Sequence, residues 1–133
     1  MLEANKIADH TIFISEWVKN HYIEKGFNRS KPNTVILNGC NSDWYYPEFK
    51  KSVDSSNIKL ITHHWSDNFM KGFDVYNFLD RFVEVNKHFS FTYMGRYNKE
   101  YTPKNTKIIP PEYGPDIGRI LREHDVYVTA ARY

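Results

Sequence analysis

The sequence has little of what marks a secreted or membrane-spanning protein. Its 133 residues include a single cysteine, Cys40, so no internal disulfide can form and no second thiol is present to share a metal ion. The apolar runs are a handful of residues long, whereas a membrane-spanning helix needs roughly 20, and the amino terminus contains no apolar signal core. These absences favour a reducing, cytoplasmic location.

The sequence also lacks an excess of charge of either sign. The chain has 18 lysines and arginines against 16 aspartates and glutamates, a formal net charge of +2, and no block of about five or more like charges. Such blocks, or a basic stripe, are typical of segments that bind nucleic acid. We therefore expect no nucleic-acid partner, and the gross charge points to no other partner.

Core-forming residues, by contrast, are plentiful. Hydrophobic residues make up 41% of the chain and aromatic residues 17%, which is enough to build a packed core and argues against wholesale disorder. The length is close to that of one typical domain. The sequence therefore predicts a folded chain that is one domain or a piece of something larger.

Local patterns predict a strand, a helix and a second strand in the first third of the chain. Residues 11–14 (TIFI) are β-branched and aromatic, and Ser15 is a favourable N-cap for a helix that ends at Gly26. Residues 34–37 (TVIL) form the next short apolar run, which stops at an Asn-Gly turn pair. This region therefore reads as β-α-β.

A polar stretch then separates this region from the rest of the chain. It covers residues 41–57, contains Pro47 and shows little hydrophobic periodicity. This stretch is the best candidate for a linker or hinge, and we place a domain boundary in it.

Beyond the linker, the patterns predict the order β-α-β-β-α-β. The predicted strands cover residues 59–63, 89–94, 107–109 and 125–131. The first helix presents one apolar face, formed by Phe73, Tyr76, Leu79, Phe82 and Val83. The second begins at Pro115 and directs inward the side chains of Ile117, Ile120 and Leu121. Alternation of strands and helices predicts an α/β fold with a parallel sheet flanked by helices.

The last predicted strand reaches residue 131, close to the end of the given sequence. In open α/β sheets, ligands bind beyond the carboxyl ends of the strands, and a covering helix normally follows each strand. We therefore interpret the chain as a fragment with both ends missing, which stops near its own ligand site.

One stretch combines several groups that could hold an anion. Residues 62–73 (THHWSDNFMKGF) place a strand end, a polar loop and then Lys71 and Gly72 at the start of a predicted helix. A helix amino terminus carries unsatisfied N–H groups and about half a positive charge, so a nearby ammonium and hydroxyl would complete a phosphate seat. Neither the P-loop motif nor the GxGxxG fingerprint is present, and the simpler interpretation is a solvated lysine.

Four segments of the chain, in order, resemble the retaining glycosyltransferases of group one. They are residues 8–16 (ADHTIFISE), residues 35–41 (VILNGCN), residues 71–73 (KGF) and residues 125–133 (DVYVTAARY). The resemblance implies the GT-B architecture, two Rossmann-like domains facing a cleft, with the nucleotide-sugar donor held mainly by the second domain. This chain would then form an incomplete GT-B protein. Residues 1–50 would be the end of the first, acceptor domain with its hinge, residues 51–57 the linker, and residues 58–133 the first half of the second, donor-binding domain.

The resemblance also assigns candidate site residues. The family has Gly-Arg and then Lys-Gly around the first strand of the second domain, where arginine and lysine clasp the diphosphate, and Lys71 and Gly72 match the second pair. The arginine has no counterpart here, and His64 and Ser66 stand as possible substitutes, with packing and helix capping as the simpler interpretations of both. Residues 108–114, which include Pro111 and Tyr113, lie where family members contact the nucleotide base.

The resemblance implies transfer of a sugar from a nucleotide-sugar donor to an acceptor hydroxyl, with retention at the anomeric carbon. The acceptor would be a glycan or a lipid-linked molecule, and the enzyme would be cytoplasmic, with peripheral association at the inner face of a membrane as an open alternative. The two family glutamates would follow the last strand and lie beyond this sequence, so we assign no catalytic residue and expect the fragment itself to be inactive. The alternative is a non-catalytic module that binds a nucleotide or phosphate.

No cofactor or metal ion is implied. His63 and His64 are adjacent on a predicted strand, so their side chains should point to opposite faces of the sheet, and no third ligand stands at a supporting spacing. Cys40 is interpreted as a small buried side chain rather than a nucleophile, because no partnered base accompanies it.

Overall fold

A computed structural model describes residues 2–48 and 52–132 of the chain. These residues form two compact units, which divide after Cys40. The sequence had placed the end of the first domain at residue 50, which lies outside the described residues, as does residue 51 of the predicted linker. Cys40 is exposed, so its expected burial was wrong.

The first unit contains two helices and a pair of parallel strands. Its elements are α1 (Leu2–Ile7), β1 (Thr11–Phe13), α2 (Glu16–Glu24) and β2 (Asn33–Val35). The predicted start of α2 is confirmed, because the Ser15 hydroxyl accepts a hydrogen bond of 3.1 Å from the Val18 N–H. Gly26 has φ +97°, the left-handed conformation expected after a helix end. Helix α1 was not predicted.

The second unit has the predicted order β-α-β-β-α-β. Its elements are β3 (Ile58–His64), a 3₁₀ turn (Phe69–Lys71), α3 (Phe73–Val85), β4 (Phe89–Gly95), β5 (Lys107–Ile109), α4 (Pro115–Arg122) and β6 (Val126–Tyr127). The four strands pair in parallel in the order β5-β4-β3-β6. The chain therefore builds outward from β3 to β5 and then returns to the other side of β3, which is the arrangement of a Rossmann-like α/β fold.

Each face of this sheet has its own hydrophobic core. Leu60 packs with the side chains of α3, including Phe73 and Tyr76, whereas its neighbour Ile61 packs with Ile117 and others of α4. The change of face at each successive residue of β3 is the ordinary geometry of a strand. The sheet is thus covered by α3 on one face and by α4 on the other, so that β3 and β4 are buried on both sides.

The strand predicted over residues 89–94 forms as β4, and its five residues from Phe91 to Gly95 are all buried because helices cover both faces. Strand β6 was expected over residues 125–131 and contains only Val126 and Tyr127. The Val128 N–H still bonds to the Ile61 carbonyl at 2.8 Å, and the chain then leaves the sheet, since the Ala130 N–H bonds to the Tyr76 hydroxyl at 3.2 Å rather than to a neighbouring strand.

Residues 41–48 belong to the second unit, where they contact α4. The Arg122 guanidinium donates a hydrogen bond of 2.8 Å to the Trp44 carbonyl, and the Tyr45 side chain packs against the α4 core. A Cβ at Gly118 would lie 2.0 Å from the Trp44 carbonyl oxygen, so this contact requires glycine. These contacts explain why the compact units divide upstream of the predicted linker.

Candidate functional site

The candidate site lies at the carboxyl ends of β3 and β6. Connections from β3 and β6 diverge here, because β3 leads to α3 on one face while β6 is reached from α4 on the other. In open α/β sheets this divergence opens a crevice, and ligands bind in it. His64 ends β3, and the segment that carries Ala130 follows β6, so the two strands bring together residues from distant parts of the chain.

Lys71 provides a positive charge at this point. It lies in the 3₁₀ turn before α3, which Asn68 caps by accepting a hydrogen bond of 2.9 Å from the Met70 N–H. The Lys71 side chain is half-buried, and no hydrogen bond or ion pair engages its ammonium group within residues 2–48 and 52–132. The ammonium is therefore free to interact with an anion.

Gly72, which was predicted as a site residue, also allows two segments of the chain to approach closely. Its φ is +88°, and a Cβ at this position would lie 2.4 Å from the Ala130 carbonyl oxygen, so the close approach of the two segments requires glycine. The N–H groups of Lys71 and Gly72 donate to the carbonyls of Asn68 and Phe69. Consequently, neither of these two N–H groups is free for a phosphate, and side chains would have to bind it.

The start of α3 also carries an acidic side chain. Asp74 is in the first turn and forms an ion pair with Arg132, which holds the pKa of the carboxyl below its usual range. The Arg132 N–H donates a hydrogen bond of 2.7 Å to the Met70 carbonyl. Arg132 therefore holds the segment after β6 against the turn that bears Lys71 and compensates the negative charge of Asp74.

His64 is buried and hydrogen-bonded on one side of its ring. Only 9% of the residue is exposed, and its Nε2 lies 2.7 Å from the Tyr76 hydroxyl and 3.3 Å from the Thr62 hydroxyl. Burial, followed by the charge of Lys71 and then by His63, lowers the pKa of His64 to about 4. At neutral pH the imidazole is therefore uncharged, and it can act as a hydrogen-bond donor but not as a second cation.

His63 points to the opposite face, as predicted from its position on the strand. Its Nδ1 lies 3.1 Å from the Tyr127 hydroxyl, and burial lowers its pKa. The two adjacent histidines therefore share no ligand. Among the described residues, no group of three or more histidine, cysteine, aspartate or glutamate side chains could hold a metal ion.

Ser66 and the aromatic residues near it shape the loop after β3. The Ser66 hydroxyl accepts a hydrogen bond of 3.1 Å from the Asn68 N–H, which is the local capping role given as its simpler interpretation. The Trp65 and Tyr113 rings lie 4.6 Å apart, and 67% of Tyr113 is exposed. The structure therefore brings the loop that carries Tyr113 next to the loop that carries Ser66.

Pro111 lines a narrow crevice at the same edge of the sheet. Its other walls include His63, His64, Trp65 and Met94. The crevice leaves no room for a water molecule, so it is a packed junction between loops rather than a preformed ligand cavity. Of the six predicted site residues, His64, Lys71 and Gly72 surround the start of α3, while Ser66, Pro111 and Tyr113 belong to the adjoining loops.

Three residues of the site were not predicted as such. Thr62, Tyr76 and Ala130 hydrogen-bond with one another or with His64, although Tyr76 had been assigned only to the apolar face of a helix. The sequence contains only a weak signal for the role of Tyr76. It is a tyrosine on the buried face of the helix, one turn after Gly72, and a buried hydroxyl needs hydrogen-bond partners.

Comparison with protein-family models gives no match to this chain, and no curated protein matches it. The described helices are all too short or too polar to cross a membrane. The Rossmann-like fold and the geometry at the carboxyl ends of its strands therefore carry the functional argument.

Proposed function

We propose that this chain forms the diphosphate-binding part of a retaining glycosyltransferase, which takes a nucleotide sugar as its donor. Lys71 would bind the diphosphate, and the loop with Pro111 and Tyr113 would lie beside the base. The acceptor would be a glycan or a lipid-linked molecule, and the enzyme would work in the cytoplasm, at the inner face of a membrane where the acceptor is a lipid.

The free ammonium of Lys71 is the observation that carries this proposal. Lys71 is a half-buried residue close enough to the neutral His64 for its charge to act on the ring, at the point of the sheet where α/β proteins bind ligands. Side-chain ammonium groups bind phosphate as point charges. In sugar transfer the leaving diphosphate gains negative charge, so a lysine here would stabilise the transition state.

Calorimetric titration of the chain with inorganic pyrophosphate, UDP, GDP and ADP tests the proposal. We expect at least one nucleoside diphosphate to bind, and Lys71→Ala to weaken its binding roughly tenfold, as expected for loss of one charged hydrogen bond. Lys87→Ala is the matched control, because Lys87 is an exposed lysine just past the opposite end of α3. It should leave the affinity unchanged.

Two results would count against the proposal. Equal affinity in the wild-type chain and Lys71→Ala would remove Lys71 from the site, and an equal loss in Lys87→Ala would reduce the effect to net charge. Nucleotide binding by the whole protein without transfer of sugar to any acceptor would instead favour the alternative, a non-catalytic module that binds a nucleotide or phosphate.

A further inference from the structure

The Tyr76 hydroxyl is the centre of a buried polar network at the candidate site. Tyr76 is fully buried on α3, and three groups surround its hydroxyl. The Thr62 hydroxyl and the Ala130 N–H each donate to it at 3.2 Å, and the Nε2 of His64 lies 2.7 Å away. One hydroxyl therefore connects β3, α3 and the segment after β6.

The contacts of this hydroxyl favour one direction for each bond. A tyrosine hydroxyl can accept two hydrogen bonds and donate one. The Ala130 N–H donates, and with the Thr62 hydroxyl donating as well, the proton of Tyr76 goes to the Nε2 of His64. In this arrangement the Nε2 is unprotonated, and the neutral imidazole carries its single proton on Nδ1. In the reverse arrangement the Nε2–H donates to Tyr76, whose proton then goes to Thr62, and the nitrogen shifts of the ring distinguish the two.

The Nδ1 of His64 has no partner within residues 2–48 and 52–132, and it nevertheless keeps contact with solvent. It is not among the fully buried side-chain atoms of that part of the chain that lack a hydrogen bond, so the Nδ1 keeps some contact with solvent on an otherwise buried ring. It stands at the carboxyl end of β3, close enough to Lys71 for the lysine charge to act on the ring.

We propose that Tyr76 is a positioning residue of the phosphate site, which fixes His64 in the Nδ1–H form so that this N–H donates to a phosphate oxygen beside Lys71. This inference rests on the proposed binding of a diphosphate. It assigns His64 the place of the missing arginine, as a neutral donor rather than a charge.

The same hydroxyl fixes the other side of the site. It receives the N–H of Ala130, whose carbonyl and Cβ lie against Gly72. A phenylalanine at position 76 would fill the same space but would leave both the His64 ring and the Ala130 segment without their bond. Tyrosine is therefore needed here for the hydroxyl, not only for its ring.

Nuclear magnetic resonance of the isotope-labelled histidine rings tests the inference directly, because the two neutral forms of imidazole have different nitrogen shifts. In the wild-type chain at neutral pH we expect His64 to be in the Nδ1–H form. In Tyr76→Phe we expect a mixture of the two forms and a roughly fivefold weaker binding of pyrophosphate and UDP, as expected for loss of one oriented hydrogen bond.

Tyr101→Phe is the matched control. Tyr101 is a buried tyrosine of the same aromatic cluster, and the hydrogen bonds that join Thr62, His64, Tyr76 and Ala130 do not include its hydroxyl. Its removal should change neither the form of His64 nor the affinity for pyrophosphate. A circular dichroism melt of each variant would show that the comparison is made on folded protein.

The outcomes separate the two proposals. A proton on Nε2 in the wild-type chain, or an affinity and a ring form that Tyr76→Phe leaves unchanged, would overturn the role of Tyr76 alone. If the wild-type chain shows the Nδ1–H form but binds neither pyrophosphate nor UDP, the phosphate site itself is wrong, and with it the phosphate contact of His64.

Discussion

The two faces of the four-stranded sheet are packed with different kinds of side chain. The α3 face is mainly aromatic and includes the buried tyrosines Tyr76, Tyr93 and Tyr101. The buried cluster on the α4 face is aliphatic, with Ile61, Met94, Ile117 and Ile120.

The buried polar contacts of the two faces also lie at different places along the sheet. The Tyr76 hydroxyl on the α3 face reaches His64 at the candidate site, whereas on the α4 face the His124 ring bonds to the Thr92 hydroxyl at 2.9 Å in the middle of β4. The two cores should therefore contribute differently. The α4 core stabilises the fold, whereas the α3 core also positions the candidate site. Substitutions on the two faces should therefore separate effects on the free energy of unfolding from effects on phosphate binding.

The largest effect on stability is expected from a cavity in the α4 core. Ile120 is 5% exposed, and Ile120→Ala should lower the free energy of unfolding by about 3 kcal/mol because it removes buried methyl and methylene groups without filling the space. Urea denaturation followed by circular dichroism measures this loss. The affinity of the folded variant for pyrophosphate should equal that of the wild-type chain.

This expectation can be contradicted on the binding side. If Ile120→Ala weakens pyrophosphate binding as much as Tyr76→Phe does, the α4 core also positions the site. The proposed difference between the two faces would then be wrong.

A smaller effect is expected from pH, through His64 on the α3 face. Its pKa is about 4 in the folded chain and about 6.5 in an unfolded one, so below pH 6.5 the unfolded state binds more protons. Stability should therefore fall as the pH is lowered, by an amount on the order of 2 kcal/mol between about pH 7 and pH 4.5. His63 and His124, whose pKa values burial also lowers, act in the same direction.

Denaturation of His64→Asn across the same pH range isolates the contribution of His64. Asparagine does not titrate, so the loss of stability on acidification should be smaller than in the wild-type chain. Parallel curves for the two proteins would show that His64 is not held neutral by the fold.

The elements of the second unit could be predicted from the sequence because their signals are local. The apolar spacing of α3 and α4, the proline at the start of α4 and the short β-branched runs depend on neighbours within a turn or a strand. Where a distant residue decides the outcome, local patterns fail. The predicted extension of β6 to residue 131 did not form, because a tyrosine 54 residues earlier in the chain binds the Ala130 N–H.

The candidate site was predictable only in part, for the same reason. Lys71 and Gly72 stand out by their types and by their place before a helix, and resemblance singled out His64. Nothing local indicates that Thr62, Tyr76 and Ala130 would meet around one hydroxyl, or that Gly72 is needed for its contact with Ala130. These contacts follow from the strand order, which places β6 beside β3.

Phosphate should bind where β3 and β6 diverge, and mapping of backbone amide shifts during titration with pyrophosphate tests this most directly. We expect the shifts to concentrate in residues 64–72 and 128–132, at the carboxyl ends of these strands, and Lys71→Ala to abolish most of them. Shifts concentrated at the amino ends of the strands or in the first unit, or no shifts at all, would contradict it.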